Sequence, residues 1–158
     1  MSIEIRKAVP DDAPLILEFI KGLAEYERLS DMVTADAETL REWIFDKGRA
    51  EVLFAALDGE EAGFALYFYN FSTFLGRAGL YIEDLYVKPE YRGKGCGKAL
   101  FREIARLAAL EGCGRVEWWC LDWNQPSIDF YKKFGAESMD DWTVYRLTGD
   151  ALYTVSAE

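Results

Sequence analysis

The chain has 158 residues, of which 51% are hydrophobic and 15% aromatic, enough apolar material for one folded core. Its 28 acidic and 18 basic residues give a net charge of −10, so its field repels nucleic-acid phosphates and anionic membrane surfaces, and we expect neither as a partner. There is no histidine, which excludes His-based catalytic triads and His-ligated metals. Small cations are the partners that this charge favours.

The cysteines and the N-terminus predict the compartment. Cys96, Cys113 and Cys120 are odd in number and lack Cys-x-x-Cys spacing, which argues against a disulfide framework and a zinc site. The first residues carry no apolar run typical of a signal peptide, and no apolar stretch reaches the length of a membrane span. We therefore expect a cytoplasmic protein with reduced thiols and no bound metal.

The order of the predicted elements favours an α+β fold. Strands are predicted over residues 2–8, 51–57, 62–71, 79–87, 115–121, 135–139 and 142–148. Helices are predicted from the Asp11–Pro14 start signal through Leu23, and over about 36–46, 96–111 and 125–133. Because strands and helices do not alternate strictly, we expect one domain over residues 1–158, a mixed central β-sheet flanked by helices on both faces.

The segment Tyr91–Leu100, YRGKGCGKAL, connects the predicted strand 79–87 to the following helix. Glycines allow a ligand to approach backbone N–H groups, and the helix N-terminus adds about half a positive charge. Arg92, Lys94 and Lys98 add cations to the same segment. The spacing fits neither G-x-G-x-x-G nor the Walker A pattern. It predicts a phosphate or pyrophosphate site, and a glycine turn before a surface helix is the alternative.

Two motifs resemble one enzyme family. The Arg-x-x-Gly-x-Gly pattern of Arg92, Gly95 and Gly97 resembles the pyrophosphate loop of the GNAT superfamily of N-acetyltransferases. Asp122–Ala136, DWNQPSIDFYKKFGA, resembles the late motif of that family, and Tyr81–Val87, YIEDLYV, is similar to its diamine and thialysine acetyltransferase branch. The resemblance implies a GNAT-like fold, acetyl-coenzyme A as co-substrate and a homodimer.

The resemblance also implies which residues bind the cofactor. Backbone groups of Leu85, Tyr86 and Val87 would pair with the pantetheine amides like an added strand. Asn124 would bond to the pantetheine arm, with a simple Asn-x-Pro turn as the alternative. For Cys96 a nucleophilic thiol is the alternative, but no histidine can serve as its base. The rest of the implied cofactor set is Arg92, Gly93, Lys94, Gly95, Cys96, Gly97, Lys98, Ser127 and Tyr131.

Acetylation of an amine needs a proton acceptor, because an alkyl amine with a pKa of about 10.4 is mostly protonated at pH 7. Glu83 and Asp84 interrupt an otherwise apolar strand, so we expect partial desolvation of this pair. The resemblance places Glu83 at the base position, acting through ordered water, and a structural carboxylate pair is the alternative. It makes Tyr131 the acid that protonates the leaving thiolate, with packing of its ring as the alternative.

The charge and the resemblance together suggest the substrate. Candidate residues for binding a cation are Tyr26, Glu27, Glu83 and Glu117, and one of Trp118, Trp119 and Trp123 could stack on it. We predict direct acetyl transfer to a primary amine of a diamine, a polyamine or a lysine-like amino acid, without a covalent acyl-enzyme. The alternatives are acetylation of a protein or peptide amine, and a non-catalytic acyl-coenzyme A-binding regulatory module.

Overall fold

The computed structural model covers residues 1–158, and the chain divides into two compact units, Met1–Trp119 and Cys120–Glu158. The first unit contains strands β1 Ile3–Lys7, β2 Glu51–Leu57, β3 Glu60–Ser72, β4 Arg77–Val87 and β5 Val116–Trp118. Its helices are α1 Ala13–Tyr26, α2 Ala37–Arg41, which continues as a π-helical turn over Glu42–Asp46, and α3 Cys96–Leu110. No helix in the protein combines the length and apolar character needed to cross a bilayer.

The strands form one mixed sheet in the order β1-β2-β3-β4-β5, which confirms the predicted sheet type. The first four strands are antiparallel, and β5 runs parallel to β4. Asp58 and Gly59 join β2 to β3, and both take positive φ angles, 50° and 89°. An Asp-Gly pair in this conformation makes a tight hairpin turn, which allows Leu57 to pair directly with Glu60.

Helices pack on both faces of the sheet, as the sequence predicts. On one face, Phe19 of α1 packs against Phe54 and Phe64, with ring centroids 5.7 and 5.3 Å away. Side chains alternate along a strand, so the buried Leu53 and Ala55 point to the opposite face, where α3 packs. Because β2 is buried on both sides, it reads as a continuous apolar run in the sequence.

The second unit contains α4 Gln125–Lys132 and α5 Gly149–Ser156. The predicted helix at 125–133 is confirmed, but the strands predicted at 135–139 and 142–148 are wrong: this part of the chain has no regular structure. Alternating apolar residues suggested strands there, yet a strand needs a hydrogen-bonding neighbour, and the sheet ends at β5. The apolar side chains of this segment are therefore exposed, among them Trp142, Val144 and Tyr145.

Candidate active site

The ladder between β3 and β4 changes register in the middle of β4. Asp84 pairs with Leu66 and Ile82 pairs with Tyr67, so Glu83 is one extra residue with no partner in β3. Such a β-bulge bends the strand locally and changes the direction of its side chains. The bulge therefore places two neighbouring carboxylates, Glu83 and Asp84, at a break in an otherwise regular sheet.

Three carboxylates of the first unit, Glu27, Glu83 and Asp84, lie close together, and the pKa values of two of them are raised. Burial, followed by the charges of Glu83 and Glu27, raises the pKa of Asp84 to about 7. Burial, followed by the charge of Glu83, also raises the pKa of Glu27. Glu27 lies at the C-terminal cap of α1, so the fold brings a helix end to the bulge. Glu27 and Glu83, both predicted to bind the substrate, thus belong to one acidic cluster with Asp84.

We expected partial desolvation of both Glu83 and Asp84. In the structure, Asp84 is the more desolvated of the two. The side chain of Glu83 is exposed, whereas Asp84 is half-buried. A carboxyl group with a pKa of about 7 is roughly half ionised at neutral pH, so Asp84 can accept a proton there. The sequence alone predicts no catalytic or binding role for Asp84. The available signal was that it is the second acid in an apolar strand.

Arg92 connects the end of α1 to the loop that follows β4. Its guanidinium carbon lies 4.6 Å from the ring centroid of Tyr26 and 5.5 Å from that of Tyr86. Its Nε donates a hydrogen bond of 3.0 Å to the backbone oxygen of Val87. Tyr26, predicted to contact the substrate, therefore supports the arginine that precedes the glycine loop. A phosphate-binding role for Arg92 stays a prediction.

The glycine loop has the backbone conformation that its sequence requires. Gly93 and Gly95 have φ angles of 76° and 97°, in the left-handed region that other residues rarely adopt. Gly95 is the N-cap of α3, and the first bond of the helix runs from the N–H of Ala99 to the oxygen of Gly95, at 2.9 Å. The N–H groups of Gly97 and Lys98 precede this bond, so they are the helix N-terminal donors that an anion can use.

Cys96 fills the start of α3 and is not exposed to reagents. Only 1% of its surface is accessible. Burial raises the pKa of its thiol, and the opposing effect of Lys94 is smaller. A buried thiol of raised pKa is a poor nucleophile. The structure therefore argues against the nucleophile alternative and favours a packing role for Cys96.

The parallel pair β4–β5 ends before β4 does. β5 pairs with β4 over Leu80–Ile82 alone, whereas β3 pairs with β4 as far as Val87. From Glu83 onward, β4 has no strand of the sheet on its β5 side. Leu85 and Tyr86, expected to bind pantetheine through their backbone, lie in this part of β4. An open strand edge of this kind can accept an extended ligand as an added strand.

Glu117 lies on the same pair of strands as Glu83. It is opposite Tyr81 in the β4–β5 register. Its Oε1 accepts a hydrogen bond of 3.2 Å from Asn70 Nδ2 and lies 3.0 Å from Arg115 Nε. Burial, followed by the charges of Glu83 and Glu117, raises the pKa of Tyr81 to about 12. Of the acids predicted to bind the substrate, Glu83 thus lies in β4 and Glu117 lies opposite β4 in the neighbouring strand.

In the second unit, α4 carries the predicted late-motif residues. Asn124 is buried and caps α4, its side chain accepting a 3.4 Å hydrogen bond from the N–H of Ser127. This is the local turn that we considered as the alternative for Asn124. Tyr131 is half-buried, lies one turn after Ser127 on the same helix face, and packs edge-on against Phe130 at 5.3 Å. The predicted roles of Asn124, Ser127 and Tyr131 stay predictions.

Comparison with known proteins identifies the enzyme family to which these features belong. The model of the Acetyltransferase (GNAT) family matches residues 17–136. The chain therefore belongs to the GNAT family, and it is an N-acetyltransferase. The family uses acetyl-coenzyme A as its co-substrate.

The similarity to individual relatives covers almost the whole chain. It is 38% identical to thialysine N-epsilon-acetyltransferase of Bos taurus, over 95% of each protein. It is 31% identical to L-ornithine N5-acetyltransferase NATA1 of Arabidopsis thaliana, over 98% of this chain and 88% of that one. An integron cassette protein from the mobile metagenome of V. cholerae has the same fold, with a TM-score of 0.82 and 27% identity over 100% of this chain and 99% of that one.

Proposed function

We propose that this enzyme acetylates a primary amine of a small dication, such as a diamine, a polyamine or a lysine-like amino acid. The observation that carries the proposal is the cluster of Glu27, Glu83 and Asp84 at the bulge of β4, in a chain of net charge −10. A cation that joins clustered carboxylates offsets their repulsion, so such a cluster favours a cationic ligand. The thialysine and ornithine acetyltransferases named above support the proposal, because both named substrates are amino acids with a second amino group.

The acidic cluster would bind the amine and take up its proton. An incoming ammonium group is attracted by all three carboxylates, and its charge favours ionisation of Asp84. Glu83 is exposed and can accept the proton of the amine through a water molecule. Asp84, with a pKa of about 7, provides a second acceptor beside it. The free nitrogen lone pair then forms the new C–N bond, and the nitrogen passes its second surplus proton to this second acceptor.

The glycine loop and the open edge of β4 would bind the co-substrate. The N-terminal donors of α3, with Lys94 and Lys98, fit a pyrophosphate group. The edge of β4 from Glu83 to Val87 fits the amides of an extended arm. When bound there, acetyl-coenzyme A supplies the acetyl carbon as a thioester. The buried thiol of Cys96 supports direct transfer rather than an acyl-enzyme.

Tyr131 would complete the reaction by donating a proton to the departing sulfur. As the C–N bond forms, the C–S bond breaks and its electron pair stays on sulfur. A thiol and a phenol have ordinary pKa values of about 8.5 and 10, close enough for this transfer. The position of Tyr131 in the late motif and on the same face of α4 as Ser127 supports this role.

A thiol-release assay tests the function directly. Purified protein with acetyl-coenzyme A should release free thiol with 1,5-diaminopentane and lysine analogues faster than with pentylamine or an arylamine. Added salt should reduce the rate for the dications, because charges are screened within about 10 Å at 0.1 M. Preference for a peptide amine would support the protein-acetylating alternative. Cofactor binding without release for any amine would support the regulatory module.

We further propose that residues 1–158 form a single N-acetyltransferase domain that acts as a homodimer in the cytoplasm. The family match spans both compact units, which supports one domain. The exposed Trp142, Val144 and Tyr145 support an interface with a second copy, and three cysteines that form no disulfide suit a reducing compartment. Sedimentation should give twice the chain mass. A monomer, or ready proteolytic cleavage near Trp119, would contradict the dimer and the single domain respectively.

A further inference from the structure

We propose that Tyr26 and Tyr86 are positioning residues that orient Arg92 toward the pyrophosphate of acetyl-coenzyme A. Tyr26 would then serve the co-substrate, although the sequence predicts that it contacts the amine. The inference rests on the proposed binding of pyrophosphate at the glycine loop, and it does not depend on which amine the enzyme accepts. It adds two aromatic side chains to a site made of glycines, backbone N–H groups and cations.

The two rings belong to different elements and meet at Arg92. Tyr26 is the last residue of α1, and Tyr86 lies next to the end of β4. The guanidinium carbon of Arg92 lies 4.6 Å from the ring centroid of Tyr26 and 5.5 Å from that of Tyr86. Both distances are within the roughly 6 Å range of a cation–π interaction. The two rings therefore restrict the orientations that this long side chain can adopt.

The backbone supplies a third contact to Arg92. Its Nε donates a 3.0 Å hydrogen bond to the oxygen of Val87, and its own backbone is extended, with φ −69° and ψ 154°. The two Nη groups take no part in that bond, and together they can bind two phosphate oxygens. Because the exposed side chain is ordered before the ligand arrives, it loses less conformational entropy on binding.

Tyr86 is the more rigid of the two supporting rings. It is 8% exposed, and its ring packs edge-on against Phe19 at 6.4 Å. Gly22 of α1 leaves the room that the ring needs, since a Cβ at that position would lie 2.9 Å from the Tyr86 hydroxyl oxygen. Burial raises the pKa of Tyr86, and the charge of Arg92 opposes that rise. The phenol is therefore neutral at pH 7 and presents an uncharged ring to the guanidinium.

The contact with Arg92 argues against an amine-binding role for Tyr26. A substrate ammonium group on the same ring would lie close to the guanidinium, and the two positive charges would repel each other. The two roles also need different parts of the side chain. Support of Arg92 needs the aromatic ring, whereas a hydrogen bond to an amine needs the hydroxyl. Tyr26→Phe keeps the ring and removes the hydroxyl, so it separates the two roles.

Calorimetric titration with coenzyme A tests the inference. For Tyr26→Leu we expect the Kd to rise about 5- to 10-fold, because the cation–π contact is lost, and for Tyr26→Phe we expect a Kd within about twofold of the wild type. The KM for 1,5-diaminopentane at saturating acetyl-coenzyme A should stay within about twofold for both variants. Tyr153→Leu is the control, because it removes another tyrosine, 72% exposed, from α5. It should leave both values unchanged.

A double-mutant cycle shows whether Tyr26 acts through Arg92. Arg92→Gln should weaken coenzyme A binding by itself, because it removes the cation. If Tyr26 acts by orienting that cation, Tyr26→Leu should add little further loss in the Arg92→Gln background. A general structural role for Tyr26 predicts the same loss in both backgrounds, so additive losses would contradict the inference.

The outcomes separate this inference from the proposed function. If Tyr26→Leu binds coenzyme A as the wild type does, or if Tyr26→Phe loses as much affinity as Tyr26→Leu, the positioning role is wrong and the proposed function is unaffected. If the variants behave as expected but the wild type acetylates no dication, the positioning role stands and the proposed amine substrate is wrong. Circular dichroism of each variant checks that its fold is retained.

Discussion

The two ends of the open part of β4 carry groups suited to opposite charges. At the bulge, Glu83 and Asp84 project carboxylates whose mutual repulsion favours a cation. Beyond Val87, the loop at Gly93 and Gly95 presents backbone N–H groups and lysines that favour an anion. The acidic end depends on side-chain identity, whereas the loop depends mainly on backbone conformation. Substitutions at the two ends should therefore separate amine effects from co-substrate effects.

The largest expected effect is at the acidic end. Glu83→Gln keeps the size of the side chain but removes a proton acceptor, so kcat/KM for 1,5-diaminopentane should fall about 10²–10⁴-fold. The affinity for acetyl-coenzyme A, measured by calorimetry, should stay within about twofold, because the loop is untouched. A comparable loss of co-substrate affinity would show that the two ends do not act separately.

The lysines of the loop should give the next largest effect. The double variant Lys94→Ala/Lys98→Ala removes two cations from the proposed phosphate site, so KM for acetyl-coenzyme A should rise about 10- to 50-fold. KM for the diamine should remain unchanged at saturating co-substrate. The double variant Lys7→Ala/Lys47→Ala, at lysines that pair with Glu51 and Glu42, removes the same charge and is the control. Equal effects from this double variant would mean that the loop result reflects the net charge alone.

Backbone conformation is tested by a pair of glycines. Gly95 has a φ of 97°, so Gly95→Ala should strain the N-cap of α3 by about 1–2 kcal/mol and weaken co-substrate binding about 10-fold. Gly97→Ala is the matched control, because Gly97 does not have a positive φ and an added Cβ would lie 3.6 Å from Val87 Cγ2, an ordinary contact. Similar affinities for the two variants would mean that the conformation at Gly95 is not what the ligand requires.

The smallest expected effect is on stability, and it depends on pH. The pKa of folded Asp84 is about 7, above its ordinary value, so the folded protein holds a proton that the unfolded chain releases between about pH 4 and 7. The stability contribution of Asp84 is therefore present at low pH and is lost as pH rises through this window. The Asp84→Asn variant has no ionisable group at this position, so it lacks this dependence on pH.

We expect Asp84→Asn to melt about 3–6 °C above the wild type at pH 8, on the order of 1–2 kcal/mol, and close to it at pH 4. Thermal unfolding followed by circular dichroism at both pH values measures the difference. Asp36→Asn is a contrasting variant, since the backbone N–H of Thr39 lowers the pKa of Asp36. A shift for Asp84→Asn that is the same at both pH values would contradict the raised pKa.

The sequence predicted the elements of the first unit well, because their signals are local. Asp58-Gly59 marks a turn wherever the flanking strands are apolar, and the glycines at 93 and 95 mark a loop before a helix. The glycine loop could be proposed from such signals, whereas the acids at 27, 83 and 117 were proposed from the family resemblance and the net charge. Their common location in the first unit needed the fold.

What could not be predicted depends on contacts between distant segments. The bulge at Glu83 is a property of the pairing between β3 and β4, and no local pattern in β4 shows it. The unequal burial of Glu83 and Asp84 follows from that bulge. The stacking of Arg92 on Tyr26 joins residues far apart in sequence. At the C-terminus, the alternation through Trp142 and Val144 is typical of a strand, but no neighbouring strand completes it.

The bulge also changes which residues of β4 face α3, from the even-numbered ones before it to the odd-numbered ones after it. Before it, the even-numbered Ile82 pairs with Tyr67 on the α3 side of the sheet, where Tyr67 lies near Leu107. After it, the odd-numbered Val87 faces α3 beside Gly97. One additional residue thus allows both halves of β4 to keep apolar side chains on the same face. Deleting that residue would turn the second half over, and Tyr86 would leave the core beneath α1.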